Sequence, residues 1–71
     1  MFIELTKLHG ERVIVNYLRI DNIQWDFDYI DEERDKRQYY TIVNQHNCFL
    51  RVRETPEEIM KQIRSFEEKE S

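Results

Sequence analysis

The chain reads as an α+β domain: a twisted antiparallel sheet of four to five strands in hairpins, with one C-terminal helix packed on it. Three observations carry this reading. Between Phe2 and Val52, short apolar-rich runs are separated by polar turn residues, as in half-buried strands. At Thr55-Pro56-Glu57-Glu58 stands a capping box, in which the Thr55 hydroxyl accepts from the Glu58 amide, the Glu58 carboxylate reaches back, and Pro56 takes the first helical position. After it, Ile59, Ile63 and Phe66 recur at helical spacing with Met60 alongside, a stripe that must be buried against a sheet.

With 71 residues there is room for one domain, read as residues 1–66 followed by a frayed tail over 67–71 that has no apolar anchor. Apolar residues make up 39% of the chain and include no alanine, so the core is built from large side chains and is thin. Small domains offset such marginal stability with disulfides, metals or self-association. Cys48 is the only cysteine, which excludes an internal disulfide and, together with the lack of an apolar leader, points to a reducing, cytoplasmic setting. Self-association, as a homodimer, is therefore expected. No apolar run approaches the roughly 18 residues that span a bilayer, so no membrane insertion is expected. Eleven basic against fifteen acidic residues give a net charge of −4, which disfavours a general phosphate-binding surface, since that needs clustered Lys and Arg.

In chain order, Phe2 to Leu8 suits a first strand, His9-Gly10 a turn, and Glu11 to Asn16 a second strand. A two-residue turn pairs Leu5 with Ile14 and sets Lys7 against Arg12, a like-charge neighbour. A three-residue loop with Gly10 in the left-handed region pairs Leu5 with Val15 and puts Ile3, Leu5, Val13 and Val15 on one face. Residues 16–19 turn the chain. Ile20 to Ile30 is a long third strand in which Trp25, Phe27 and Tyr29 alternate with Asp26 and Asp28, so that three aromatic rings share one face and two carboxylates the other. Those rings are either sheet-packing residues or a platform for a partner.

Residues 31–38 are dense in mixed charge and read as a solvated connector, either the tip of a long hairpin or a short helical turn. Tyr39 to Val43 forms the fourth strand, residues 44–47 the turn, and Cys48 to Glu54 the fifth, with Cys48, Leu50 and Val52 on one face and Phe49, Arg51 and Arg53 on the other. Arg51 and Arg53 beside Phe49 are either an RNA-contact face or partners for the many acids.

The residues offer little chemistry. His46 and Cys48 are too close along one hairpin end to face each other as base and nucleophile, and are expected as a polar turn residue and a small buried thiol. A single glycine leaves no phosphate loop. Asp26, Asp28 and Asp31 fail the calcium-loop spacing, which needs a glycine where Asp31 stands, and Cys48 with His46 falls short of four zinc ligands. No catalytic, cofactor or metal residue is expected.

The runs Ile3-Glu4-Leu5-Thr6-Lys7-Leu8-His9-Gly10-Glu11, Val15-Asn16 with Ile20 and Ile23, and Val52-Arg53-Glu54-Thr55-Pro56-Glu57-Glu58-Ile59 together resemble the small FlbD-like proteins encoded in flagellar operons. The chain departs from that pattern at His9, where asparagine is usual, and in residues 31–38, which lengthen the middle hairpin. The resemblance implies a strand, Gly turn, capped helix and no catalytic residues. In order of elements the chain also looks like the carbon storage regulator of messenger RNA translation, and its rhythm is similar to LytTR-type DNA-binding domains, though it lacks their basic segment after the helix. The expectation is a non-enzymatic protein-interaction or regulatory module, with a small nucleic-acid-binding regulator as the alternative. The candidate contact residues are Trp25, Phe27, Tyr29, Arg51 and Arg53.

The cap supplies a first test. Thr55→Ala is expected to cost about 1 kcal/mol in urea denaturation; an unchanged midpoint would mean that the helix starts elsewhere.

Overall fold

The computed structural model describes residues 1–70. It contains strands β1 (Phe2–Thr6), β2 (Arg12–Asn16), β3 (Ile20–Asp31), β4 (Lys36–Gln45) and β5 (Cys48–Val52), followed by helix α1 (Pro56–Glu70). A single 3-10 turn, Tyr17–Arg19, links β2 to β3, with the Asn16 side chain accepting from the Leu18 amide at 3.0 Å. The strands do not form the single sheet expected from the sequence. They make a two-stranded sheet, β1-β2, and a three-stranded sheet, β3-β4-β5, both antiparallel.

The first hairpin settles its register by charge and parity. Leu5 pairs with Val13 and Ile3 with Val15, two residues away from the pairing expected for a three-residue loop. The loop is Leu8-His9-Gly10, closed by the Lys7 amide on the Glu11 carbonyl at 2.7 Å, with Gly10 at φ +102° where a side chain would be strained. Because the shift is two residues, the same four side chains still share one face. The like-charge apposition disappears: Lys7 Nζ lies 3.5 Å from Glu11 and Arg12 Nε 3.0 Å from Glu4.

The core lies between the two sheets and the helix. Ile3, Leu5, Val15, Val43, Val52 and Ile59 form it, with Thr41 also fully buried. Each large aliphatic side chain so buried contributes about 1.5–3 kcal/mol, and a cluster this small has little in reserve. Ile63 packs at its margin, and Phe66 meets Tyr17 edge-on at 5.8 Å. Met60 turns outward and is exposed, so the buried stripe is Ile59-Ile63-Phe66 without it. Cys48 is also exposed rather than buried, because it sits at the far end of β5 from the helix. The helix runs on past Phe66 to Glu70, into the segment read from the sequence as a tail; Ser71 lies outside the described residues.

One short seam joins the two sheets. Lys7 and Val52 form an isolated bridge, and the Arg53 amide donates to the Thr6 carbonyl at 2.8 Å. The Glu54 carboxylate then takes the place of the next strand residue, accepting from the Thr6 amide at 2.8 Å and the Thr6 hydroxyl at 2.9 Å. The Thr41 hydroxyl donates to the Glu54 carbonyl, which ties β4 to the same residue. One residue later the Thr55 hydroxyl accepts from the Glu58 amide at 3.1 Å and starts α1, the hydroxyl half of the capping box.

Glu54→Ala removes two charge-assisted bonds from a half-buried strand end and is expected to cost about 2–4 kcal/mol. Urea denaturation followed by circular dichroism measures it. A midpoint equal to wild type would mean that the sheets are held together without Glu54.

Candidate functional site on the projecting hairpin

β3 and β4, of 12 and 10 residues, make the longest hairpin of the chain. Its strands pair from Ile20 opposite Gln45 out to Asp31 opposite Lys36, and the molecule measures 50 × 24 × 20 Å along its principal axes. The charged stretch expected as a connector is partly strand: β4 begins at Lys36, and only residues 32–35 turn. That turn is held by the Asp31 carboxylate on the Glu33 amide at 3.1 Å and the Asp35 amide on the Glu32 carbonyl at 3.2 Å, with Asp35 at φ 52°.

The body covers one face of this sheet only as far as Thr41. Val43 and Thr41 are fully buried, whereas Trp25, directly across from Thr41, is 49% exposed. From there outward the same face carries Phe27 opposite Tyr39 and Tyr29 opposite Arg37, and these side chains pack on one another. Trp25 stacks on Tyr39 with centroids 5.5 Å apart and planes 11° from parallel. Phe27 lies 5.6 Å from Tyr39 and meets Tyr29 edge-on at 5.4 Å. The Arg37 guanidinium caps the outer end, 4.9 Å from the Phe27 centroid and 5.4 Å from that of Tyr29, and is oriented by Asp35 at 3.0 Å. The hydrogen bond to Tyr39, and then Asp35, hold the Arg37 pKa above its ordinary value. The aromatic run is thus a ladder of four rings and one cation, with Trp25, Tyr29 and Tyr39 each about half exposed.

The opposite face is acidic and polar. Asp26 and Asp28 flank Tyr40, which is nearly fully covered although it lies outside the core. The Arg51 guanidinium sits 5.1 Å over the Tyr40 ring and 5.9 Å from that of Phe49, with an Nη1 to Asp28 Oδ2 distance of 3.9 Å. Burial raises the Tyr40 pKa; Arg51 pulls it down and Asp28 adds to the rise. Asp26 turns its carboxylate onto the backbone, accepting from the Phe27 amide at 2.7 Å.

Of the five residues singled out from the sequence, the structure brings Trp25, Phe27 and Tyr29 into one exposed surface. Arg51 stands on the other face of the sheet. Arg53 is a brace instead: its Nε and Nη2 both donate to the Leu8 carbonyl, at 3.0 and 2.7 Å, and fix the first loop to the end of β5. Sequence reasoning missed Arg37 and Tyr39. The signal was the alternation Arg37, Tyr39, Thr41, which becomes readable only once β4 starts at Lys36.

In the first hairpin His9, Glu11 and Lys7 form a local group. His9 Nε2 lies 3.2 Å from Glu11, and this hydrogen bond, followed by the Lys7 charge, lowers the Glu11 pKa. Among the described residues no group of three or more His, Cys, Asp or Glu side chains is placed to hold a metal ion, and no helix is long and apolar enough to cross a membrane. Compared with known proteins, the chain matches no family model, no curated protein and no solved structure.

Tyr40 offers a pH test of this face. Its pKa is raised on folding, so its share of stability is complete below the ordinary tyrosine range and is lost as pH climbs through the raised value. In ultraviolet titration, one phenol absent from Tyr40→Phe is expected to ionise above the ordinary tyrosine pKa. Wild-type and Y40F curves that differ by an ordinary phenol would show that the face is open to water.

Proposed function

We propose that this chain is a non-enzymatic protein-interaction module of the cytoplasm, with a regulatory role, that works as a homodimer and presents its projecting hairpin to a protein partner. The aromatic ladder carries the reading. Trp25, Tyr29 and Tyr39 stand half exposed on one face of an arm that runs on past the buried core, and large rings left half in water are the usual anchors of protein interfaces.

The arm also suggests what its partner carries. Arg37 and Arg51 already stack on its rings, and Asp26 and Asp28 line its other face. A partner that offers lysine or arginine beside apolar groups therefore fits it: the ring faces attract cations and the carboxylates pair with them. A shallow recess of about 400 Å³ between Trp25 and the helix start, at Thr55, Pro56 and Glu57, gives the inner end of the arm room for one apolar side chain. The likeness to FlbD-like chains agrees with a regulatory role that needs no catalytic residues.

The nucleic-acid alternative rests on exposed Phe49 beside Arg51. It is the weaker reading, since Arg53 already braces the first loop and the net charge is −4.

The sole tryptophan, Trp25, lies within the proposed surface and reports on it directly. Its fluorescence is expected to change when the chain is titrated with a synthetic peptide of alternating lysine and valine. The response should weaken about tenfold when Asp26 and Asp28 are both changed to asparagine, and an alternating glutamate and valine peptide should give none. Equal responses to the two peptides would remove the charge-matched reading. A response to a single-stranded oligonucleotide that collapses as salt rises would favour the alternative.

A further inference from the structure

Among the described residues the outer edges of β2 and β3 have no neighbouring strand, and the two differ in how they are protected. β3 carries Asp21, Asp26, Asp28 and Asp31, and Asp26 occupies one edge amide itself, the devices by which edges avoid other chains. β2, Arg-Val-Ile-Val-Asn, has no acid, no proline and no bulge.

The direction of the free groups on β2 follows from two bonds. Lys7 N–H donates to the Glu11 carbonyl and Tyr17 N–H to the Met1 carbonyl, so odd-numbered residues of β2 bond to β1. By alternation, the N–H and C=O groups of Arg12 and Ile14 and the N–H of Asn16 face outward, while the Asn16 carbonyl opens the 3-10 turn. Around this edge lies much of the exposed apolar surface of the body: Ile14 is 74% exposed, with Phe2 across from Asn16 and Leu18 just beyond the strand, both also exposed. On its inner side, a cleft of about 500 Å³ is lined by Val13, Val15, Arg19, Gln45 and Leu50, among others.

We propose that a second copy of this chain pairs its β2 antiparallel to this edge about a two-fold axis through Ile14, joining the two small sheets into one. The inference rests on the homodimer reading above and gives it a surface. In that register Ile14 faces the partner's Ile14, Arg12 faces the partner's Asn16, and Val13 lies beside the partner's Val15 along the mixed polar and apolar cleft. About four main-chain hydrogen bonds form, two between the Ile14 residues and one from each Asn16 amide to the facing Arg12 carbonyl, and no like charges meet. Other registers shorten the overlap, and the one that sets Arg12 against the partner's Arg12 opposes two cations. A strand pair of this length falls short of the roughly 800 Å² a side of a stable interface, and exposed Met1, Phe2 and Leu18 lie where they add to it. The same pairing along β3 would line up carboxylates.

The test combines light scattering of the full chain at tens of micromolar with amide exchange read residue by residue. A dimer is expected, with exchange at Ile14 and its even-numbered neighbours slowed about tenfold or more as concentration rises, and Val13 and Val15 unchanged because β1 already protects them. Ile14→Lys, at an exposed position outside the core, should give a monomer with the wild-type circular dichroism spectrum, whereas Trp25→Ala should remain a dimer. A dimer with no protection at Ile14, or one that survives I14K, overturns the β2 pairing and leaves the homodimer reading standing. A monomer throughout overturns both.

Discussion

The grip of the Glu54 carboxylate on Thr6 is the contact on which the rest of the structure depends. Neither sheet has enough apolar surface to stand alone, and β5 would leave β1 after a single bridge if its chain simply turned into the helix. Glu54 prevents that by putting two side-chain oxygens where the N–H and hydroxyl of Thr6 need acceptors, while its own carbonyl takes the buried Thr41 hydroxyl. Three elements are thus fixed at one residue, and the helix cap at Thr55 follows immediately. The direction of α1, and so the side of the sheet it covers, is set there.

That direction decides which apolar residues become core and which become surface. Ile59 of the helix shares the core with Val43 and Val52, and burial on this face of β3–β4 ends at Thr41. The hairpin continues beyond it by several residue pairs, on the order of 20 Å of strand, with its aromatic side toward the same half-space as the core. Trp25 stands at the boundary. Beyond it the rings replace the missing helix with one another, and Arg37 ends the row with its guanidinium. Such a ladder stiffens an otherwise isolated two-stranded arm, which would be marginal in water.

The two faces of the arm divide the work. One holds the stacked rings; the other holds Asp26, Asp28 and the Arg51–Tyr40 stack. Carboxylates along β3 make its long edge a poor template for self-pairing, whereas short, acid-free β2 is unprotected. The two strand edges are therefore unlike, one open at β2 and one guarded by carboxylates along the arm.

By itself the sequence determined the order of the elements, the helix start at Thr55 and the shared face of Trp25, Phe27 and Tyr29, because each follows from local periodicity or from a cap that acts within four residues, whereas it left the register of the first hairpin, and so the inward set Ile3, Leu5, Val13 and Val15, open between two turn lengths. It left open whether those rings were core or surface, and it misplaced Cys48 and Met60, because burial depends on where the helix lies and not on strand period. Pairing Arg51 with Arg53 as one basic face failed for the same reason: residues two apart share a side of a strand, but Arg53 lies beyond β5, where the Leu8 carbonyl comes within reach. The division into two sheets, the exposure of the arm and the Glu54 joint were decided only in three dimensions. They join residues about 48 apart in the chain, such as Thr6 and Glu54, and no local pattern records which side chain will stand in for a missing strand.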